Sequence, residues 1–216
     1  MQVLTSYDVS SLVIDNLCDQ AGGQNVAVTC FYFDFAAQQE QSSTSMLGTL
    51  LKQLVVGLGE MPEEIVQAYE NQKNLIGGRR PRHADIVKML QTTSSIKRTF
   101  ICIDALDECL LEHRTKLLDS LNKILHESPA TRIFVTGRPH IRPEITGRLA
   151  GRVTSLPIST KRDDIIKYLH SRLGEDPTPD AMNGGLEAEI LKKIPEDVSD
   201  MYVKTITPEK ATLSIH

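Results

Sequence analysis

The sequence predicts a three-layer α/β fold built around a parallel sheet, and three observations carry that prediction. First, Val26–Phe33, Thr99–Ile103 and Arg132–Thr136 are continuous apolar, β-branched and aromatic runs without polar alternation. Strands of that kind are covered on both faces, as in parallel sheets. Second, stretches with helical spacing of apolar residues separate the runs, which is the β-α-β pattern of a crossover-linked sheet. Third, the chain has 216 residues, 40% of them hydrophobic and 24% charged, with a mean hydropathy of −0.19, enough apolar material for a substantial core.

Taken in order, Ser6 to Gln20 sets Val9, Leu12, Val13 and Leu17 at near-helical spacing, and Gly22-Gly23 follows where a helix should stop. Val26–Phe33 is the first strand. Ser42 and Ser43 can cap a helix carrying Met46, Leu47, Leu50, Leu51 and Leu54, and Pro62 opens another with Ile65, Val66 and Tyr69. Gly77 to Pro81 interrupts, and Ile86, Val87 and Leu90 resume a helical period. The strand Thr99–Ile103 runs into the acidic turn Asp104-Ala105-Leu106-Asp107-Glu108. A helix then shows Leu117, Leu118, Leu121, Ile124 and Leu125 on one face. The strand Arg132–Thr136 ends at Gly137-Arg138-Pro139, and Arg152–Ile158 offers a short fourth strand.

Beyond the sheet, Thr160 and Asp163 open a helix bearing Ile165, Ile166, Leu169 and Leu173. Residues 176–185 read as a Pro- and Gly-containing linker, Leu186 to Ile194 as one more helix ended by Pro195, and Met201 to His216 as a frayed tail without period.

Charge and cysteine usage exclude several function classes. Lys and Arg total 24 against 28 Asp and Glu, a net charge of −4 with no basic block, which argues against a nucleic-acid partner. No apolar stretch reaches the roughly 20 residues needed to cross a bilayer, and no signal peptide opens the chain, so a cytoplasmic location is expected. Cys18, Cys30, Cys102 and Cys109 form no C-x-x-C pair, and Cys30 and Cys102 sit in apolar runs where reduced, buried thiols belong.

Ligands of parallel α/β sheets sit beyond the carboxyl ends of the strands. Asp104 stands at one such end, with Asp107 and Glu108 within a turn of it. Carboxylates so placed suit Mg²⁺, a hard cation that prefers oxygen ligands, and one of them could orient an attacking water. Arg138, at the mouth of the next strand, could meet a γ-phosphate. Each motif alone also reads blandly: an Asp after a strand often caps a helix, and an Arg after a strand is often solvated.

Together these motifs resemble a known family. Phe100-Ile101-Cys102-Ile103-Asp104-Ala105-Leu106-Asp107-Glu108-Cys109 resembles the extended Walker B motif of NACHT-type signal-transducing P-loop ATPases, and Arg132–Pro139 resembles their sensor segment. Val13-Ile14-Asp15-Asn16-Leu17, Phe31-Tyr32-Phe33-Asp34-Phe35 and Leu50-Leu51-Lys52-Gln53-Leu54 are similar to nephrocystin-3-like NACHT modules of fungal NOD-like receptors. The resemblance implies that Asp104 helps hold Mg²⁺, that Asp107 or Glu108 serves the hydrolytic water, and that Thr136 and Arg138 face the nucleotide, with Arg138 sensing its γ-phosphate. It implies an ATP- or GTP-driven switch that assembles with other NACHT proteins. Gly137 departs from the family's usual Ser, with a small expected effect.

The resemblance also divides the chain into a partial nucleotide-binding core (1–158), the start of a helical subdomain (159–195) and an atypical tail (196–216). No Gly is followed by Lys, so the phosphate-binding G-x-x-x-x-G-K-[ST] does not occur in the sequence. The resemblance places that loop and its strand just before Val3, so the expected sheet lacks its first, central strand. That strand is expected between the strands of the acidic and Arg motifs, and its loss to leave open backbone edges. Two functions compete: a nucleotide switch that binds nucleotide weakly without that loop, or a non-catalytic fragment that works as a protein-interaction module through those edges.

Overall fold

The computed structural model describes residues 6–21, 26–59, 61–63, 65–67, 70, 81–149, 151–158, 162–174, 184–197 and 201–207. Seven helices are labelled here: α1 (Ser6–Ala21), α2 (Ser43–Leu58), α3 (His83–Ile96), α4 (Leu111–Glu127), α5 (Arg142–Arg148), α6 (Arg162–Gly174) and α7 (Gly184–Asp197). Five strands form one sheet: β1 (Val26–Tyr32), β2 (Arg98–Asp104), β3 (Arg132–Gly137), β4 (Arg152–Ile158) and β5 (Met201–Thr207), in the order β1-β2-β3-β5-β4. The expected α/β class is therefore what the chain adopts, with β1, β2 and β3 parallel.

Period-two alternation sorts the strand side chains onto two faces. Ala27, Ile101, Ile103, Ile133 and Val135 join the main core with α2, α3 and α4, whose Leu47, Leu50, Leu90, Leu118 and Leu121 are essentially inaccessible. On the other face Cys30, Tyr32, Cys102 and Phe134 meet Val13, Ile14 and Leu17 of α1. The buried stripe of α1 is thus Ser10, Val13, Ile14 and Leu17, at i, i+3, i+4 and i+7. Leu12, expected on that face, is 63% exposed.

Sequence reasoning expected open strand edges and missed one strand. β2 and β3, which carry the acidic and Arg motifs, pair directly, Ile103 opposite Val135, with no strand between them. The far edge of β3 is not open either. β5, from the segment read as a frayed tail, pairs antiparallel with β3 (Thr136 opposite Val203) and with β4 (Leu156 opposite Val203). Its signal was local composition rather than period: Tyr202, Val203, Thr205, Ile206 and Thr207 all favour strands, and Ile206 is completely buried. The edge-mediated interaction reading loses the open central edge that motivated it.

Smaller differences have plain causes. Pro195 lies inside α7, two residues before its end, so the helix stops within a turn of the proline rather than at it. The Pro62 carbonyl accepts from the Ile65 and Val66 N–H groups, the opening turn expected there. The linker expected at 176–185 falls largely outside the described residues. No helix among the described residues is long and apolar enough to cross a membrane.

Candidate functional site

Register and alternation together build the site. β1 pairs Tyr32 opposite Asp104, and β2 runs beside β3 so that Asp104 adjoins Thr136. All three are two residues past a side chain that contacts α1 (Cys30, Cys102 and Phe134), so they form a row on the α1 face at the carboxyl edge of the parallel strands. Asp104 is only 2% exposed, and its Oδ1 accepts hydrogen bonds from the hydroxyls of Ser10 and Thr136. A buried carboxylate needs such donors to offset the loss of water. Burial pushes the Tyr32 hydroxyl above its usual pKa; a hydrogen bond with Ser11 opposes this, and the charge of Asp104 adds to it.

The turn after Asp104 is held in an uncommon conformation. Ala105 has φ 52°, in the left-handed region that costs a non-glycine residue on the order of 1 kcal/mol. Its N–H donates to the Thr136 hydroxyl at 3.0 Å, and Leu106, next in the 3₁₀ turn Leu106–Glu108, is completely buried. These two anchors fix the turn and aim Asp107 and Glu108 at the loop after β3.

That loop presents Arg138. Its backbone N–H donates to Asp107 Oδ1 at 3.1 Å, its Nε lies 3.4 Å from Asp107 Oδ2, and a terminal guanidinium nitrogen lies 3.7 Å from Glu108 Oε1. The Arg138 side chain is 58% exposed while Asp107 is nearly buried, so the guanidinium caps the acids from the solvent side. Gly137 explains the close approach: a Cβ there would stand 2.9 Å from Ile141 Cδ1 and 3.2 Å from Asp107 Oδ1. Arg114 supports the same turn from below, donating to the Cys109 carbonyl at 3.0 Å and pairing with Glu144 at 2.8 Å.

The sequence-predicted residues therefore fall into two linked groups. Asp104 and Thr136 form a buried carboxylate–hydroxyl unit, joined by Ser10. Asp107, Glu108 and Arg138 form a half-exposed ion-pair cluster beside it. The three carboxylates do not converge, and among the described residues no group of three or more His, Cys, Asp or Glu side chains is arranged to hold a metal ion. What Asp104 offers a cation is a donor set of oxygen alone, one carboxylate and two hydroxyls. That set fits Mg²⁺ bound chiefly by water and phosphate oxygens.

Ser10, Tyr32 and Arg114 escaped sequence reasoning. Ser10 could have been found: it lies one turn before Val13 and Ile14 on the same stripe, where a small polar residue facing an apolar sheet asks for a partner. Arg114 carried no comparable signal.

Comparison with protein families matches residues 8–138 to the nephrocystin 3, N-terminal family. The chain belongs to the nephrocystin 3, N-terminal family. The matched span begins in α1 and ends at Arg138, so it encloses Ser10, Tyr32, Asp104, Asp107, Glu108, Thr136 and Arg138. Comparisons with curated proteins and with solved structures find no match.

Proposed function

We propose that this nephrocystin-3-type domain is part of a NACHT-type nucleotide-binding signalling module of the cytoplasm, with ATP or GTP facing the carboxyl edge of β2 and β3. The observation that carries the reading is the placement of a buried, hydroxyl-held carboxylate, Asp104, next to an arginine, Arg138, whose charge is parked on two acids. Magnesium, when bound with the nucleotide, supplies charge neutralisation for the phosphates. Asp104 would hold it with the hydroxyls of Ser10 and Thr136.

The chain's own residues then have separable tasks. Thr136 couples the two strands: its hydroxyl donates to Asp104 and accepts from Ala105, so a change at one strand mouth is felt at the other. Asp107 and Glu108 hold Arg138 in place, and either acid would accept a proton from a water near it once Arg138 turns outward. Arg138, mostly exposed, can exchange its carboxylate partners for a phosphate oxygen, and that exchange is the switch. Assembly with other NACHT proteins would follow from the loop movement. The phosphate-binding G-x-x-x-x-G-K-[ST] does not occur within the sequence, so nucleotide affinity of these 216 residues is weak.

Amide NMR mapping tests the proposal at the weak affinities expected. Millimolar Mg²⁺·ATP or Mg²⁺·GTP should shift the amides of Ser10, Asp104–Glu108 and Thr136–Arg138 in a saturable manner. A titration that moves none of these amides would overturn it.

A further inference from the structure

A cavity lies apart from Asp104 and Arg138, among α2, α3 and α4. Its volume is about 490 Å³, within the range of small-molecule sites, and Ser42 at the cap of α2, Ser43 and Thr44 of α2, His83 of α3, and His113, Lys116, Asp119, Ser120 and Lys123 of α4 line it. Residues 113, 116, 120 and 123 form one stripe of α4 at helical spacing. The neighbouring Arg114 instead reaches Glu144 and the acidic turn, so the cavity and the nucleotide-facing site use different faces of that helix.

Two hydroxyls meet the ring of His83. With Ser120 Oγ donating its proton to the Lys116 carbonyl at 2.7 Å, the tautomer that satisfies both groups has His83 Nε2–H donating to Ser120 Oγ at 2.9 Å. The other ring nitrogen, Nδ1, lies 3.2 Å from Thr44 Oγ1. Neutral His83 accepts the Thr44 proton there, whereas protonated His83 donates and turns the Thr44 hydroxyl around. One proton on His83 therefore changes both the charge and a hydroxyl direction in the cavity.

The charges leave a positive excess. Asp119 is paired with Arg148 at 2.9 Å, and Lys116 with Glu112 at 2.7 Å, whereas no carboxylate is paired with Lys123 among the described residues. Arg82, just before α3, and Asp85 of α3 flank His83, Asp85 accepting from the Arg82 N–H, and α2 adds hydroxyls but no charge at its start. Lysines acting as point charges, with several hydroxyls around them and no guanidinium fork, suit a tetrahedral oxyanion better than a planar carboxylate.

We propose that this cavity is a binding site for the phosphate group of a small molecule, held by Lys123, Lys116 and the Thr44 hydroxyl, with the charge of protonated His83 beside them and Ser120 positioning the His83 ring. Burial, then the nearby charges of Lys116 and Lys123, hold His83 below its usual pKa, so the empty site keeps it neutral near pH 7. An arriving anion reverses that balance, and binding takes up a proton.

Sulfate is the decisive probe, because it stays a dianion through the range in which His83 titrates. Followed by NMR of the intact chain, sulfate should shift the Ser43, Thr44, His83 and Ser120 amides saturably and raise the His83 pKa. Affinity should rise as pH falls below about 6.5, by up to about tenfold per pH unit while His83 gains its proton. His83→Gln should remove that pH dependence, and Lys123→Ala, at an exposed position, should weaken binding about fivefold. Inorganic phosphate and glycerol 3-phosphate complete the series: tighter binding of the ester assigns the site to a phosphomonoester, and equal binding assigns it to free phosphate. Shifts that do not saturate, a pH dependence that survives in His83→Gln, or shifts confined to Asp104–Glu108 and Thr136–Arg138 would overturn the proposal.

Discussion

Thr136→Val isolates the hydroxyl that joins the two strand mouths. Valine keeps the β-branched shape of a residue that is completely buried, so packing changes little. Two interactions disappear together: the hydrogen bond to the Asp104 carboxylate and the acceptor for the Ala105 N–H. A hydrogen bond to a charged group contributes about 1.5–3 kcal/mol, and leaving the Ala105 donor without an acceptor costs about 1–3 kcal/mol more. Asp104 keeps the Ser10 hydroxyl, and the Ala105 turn can relax out of its left-handed conformation, so the low end of the sum applies, about 2.5 kcal/mol. For a chain of this size that is a fall of about 5–10 °C in Tm. The assay is guanidinium unfolding by circular dichroism, with the loss read as a lower midpoint at unchanged slope. A loss below about 1 kcal/mol would refute the reasoning, because it would mean that Thr136 neither stabilises the buried carboxylate nor holds the turn.

Other outcomes follow from the same geometry. Arg138→Ala should change stability by less than about 1 kcal/mol, since the guanidinium is mostly exposed, yet should alter the Asp107 and Glu108 amides; a large loss in thermal unfolding would contradict a switch residue parked at the surface. His83 has its pKa lowered in the fold, so the unfolded chain binds the proton more readily. Its contribution is intact above about pH 6.5 and is lost as pH falls below that value, and His83→Gln should flatten this part of the stability profile measured by urea unfolding. Burial pushes the Cys102 and Cys109 thiols up to about 12, whereas Cys18 is exposed; iodoacetamide with mass-spectrometric readout should label Cys18 first, and equal labelling of Cys102 in the folded chain would contradict the buried sheet face. The same two thiols favour folding most below about pH 9, and that contribution should fall as pH rises toward 12.

The parts legible in the sequence were those governed by local rules. Three unbroken apolar runs announced β1, β2 and β3, because strands covered on both faces cannot alternate, and the leucine stripes announced α2 and α4. Asp104, Asp107, Glu108 and Arg138 were legible because a strand's carboxyl end fixes where its next residues point. The misreadings arose where a partner distant in sequence decides. β5 has strand-forming residues but no strand adjacent to it in sequence, and only pairing with the distant β3 and β4 explains it. Ser10 looked like an ordinary helix serine until Asp104, 94 positions away, was found against it. The cavity at His83 was equally unreadable, since Thr44, His83 and Ser120 come from three separate helices. Gly137 was expected to differ little from a serine; its nearest neighbours show that glycine there admits the Asp107 carboxylate.

The most direct test of the proposed nucleotide site compares ATP affinity with and without Mg²⁺, by calorimetry at high protein concentration, in the wild-type chain and in Asp104→Asn. Asparagine keeps the size of the side chain and removes the charge that would hold the cation. The account predicts that Mg²⁺ strengthens ATP binding in the wild type and has no effect in the variant. The same Mg²⁺ enhancement in both proteins would contradict it.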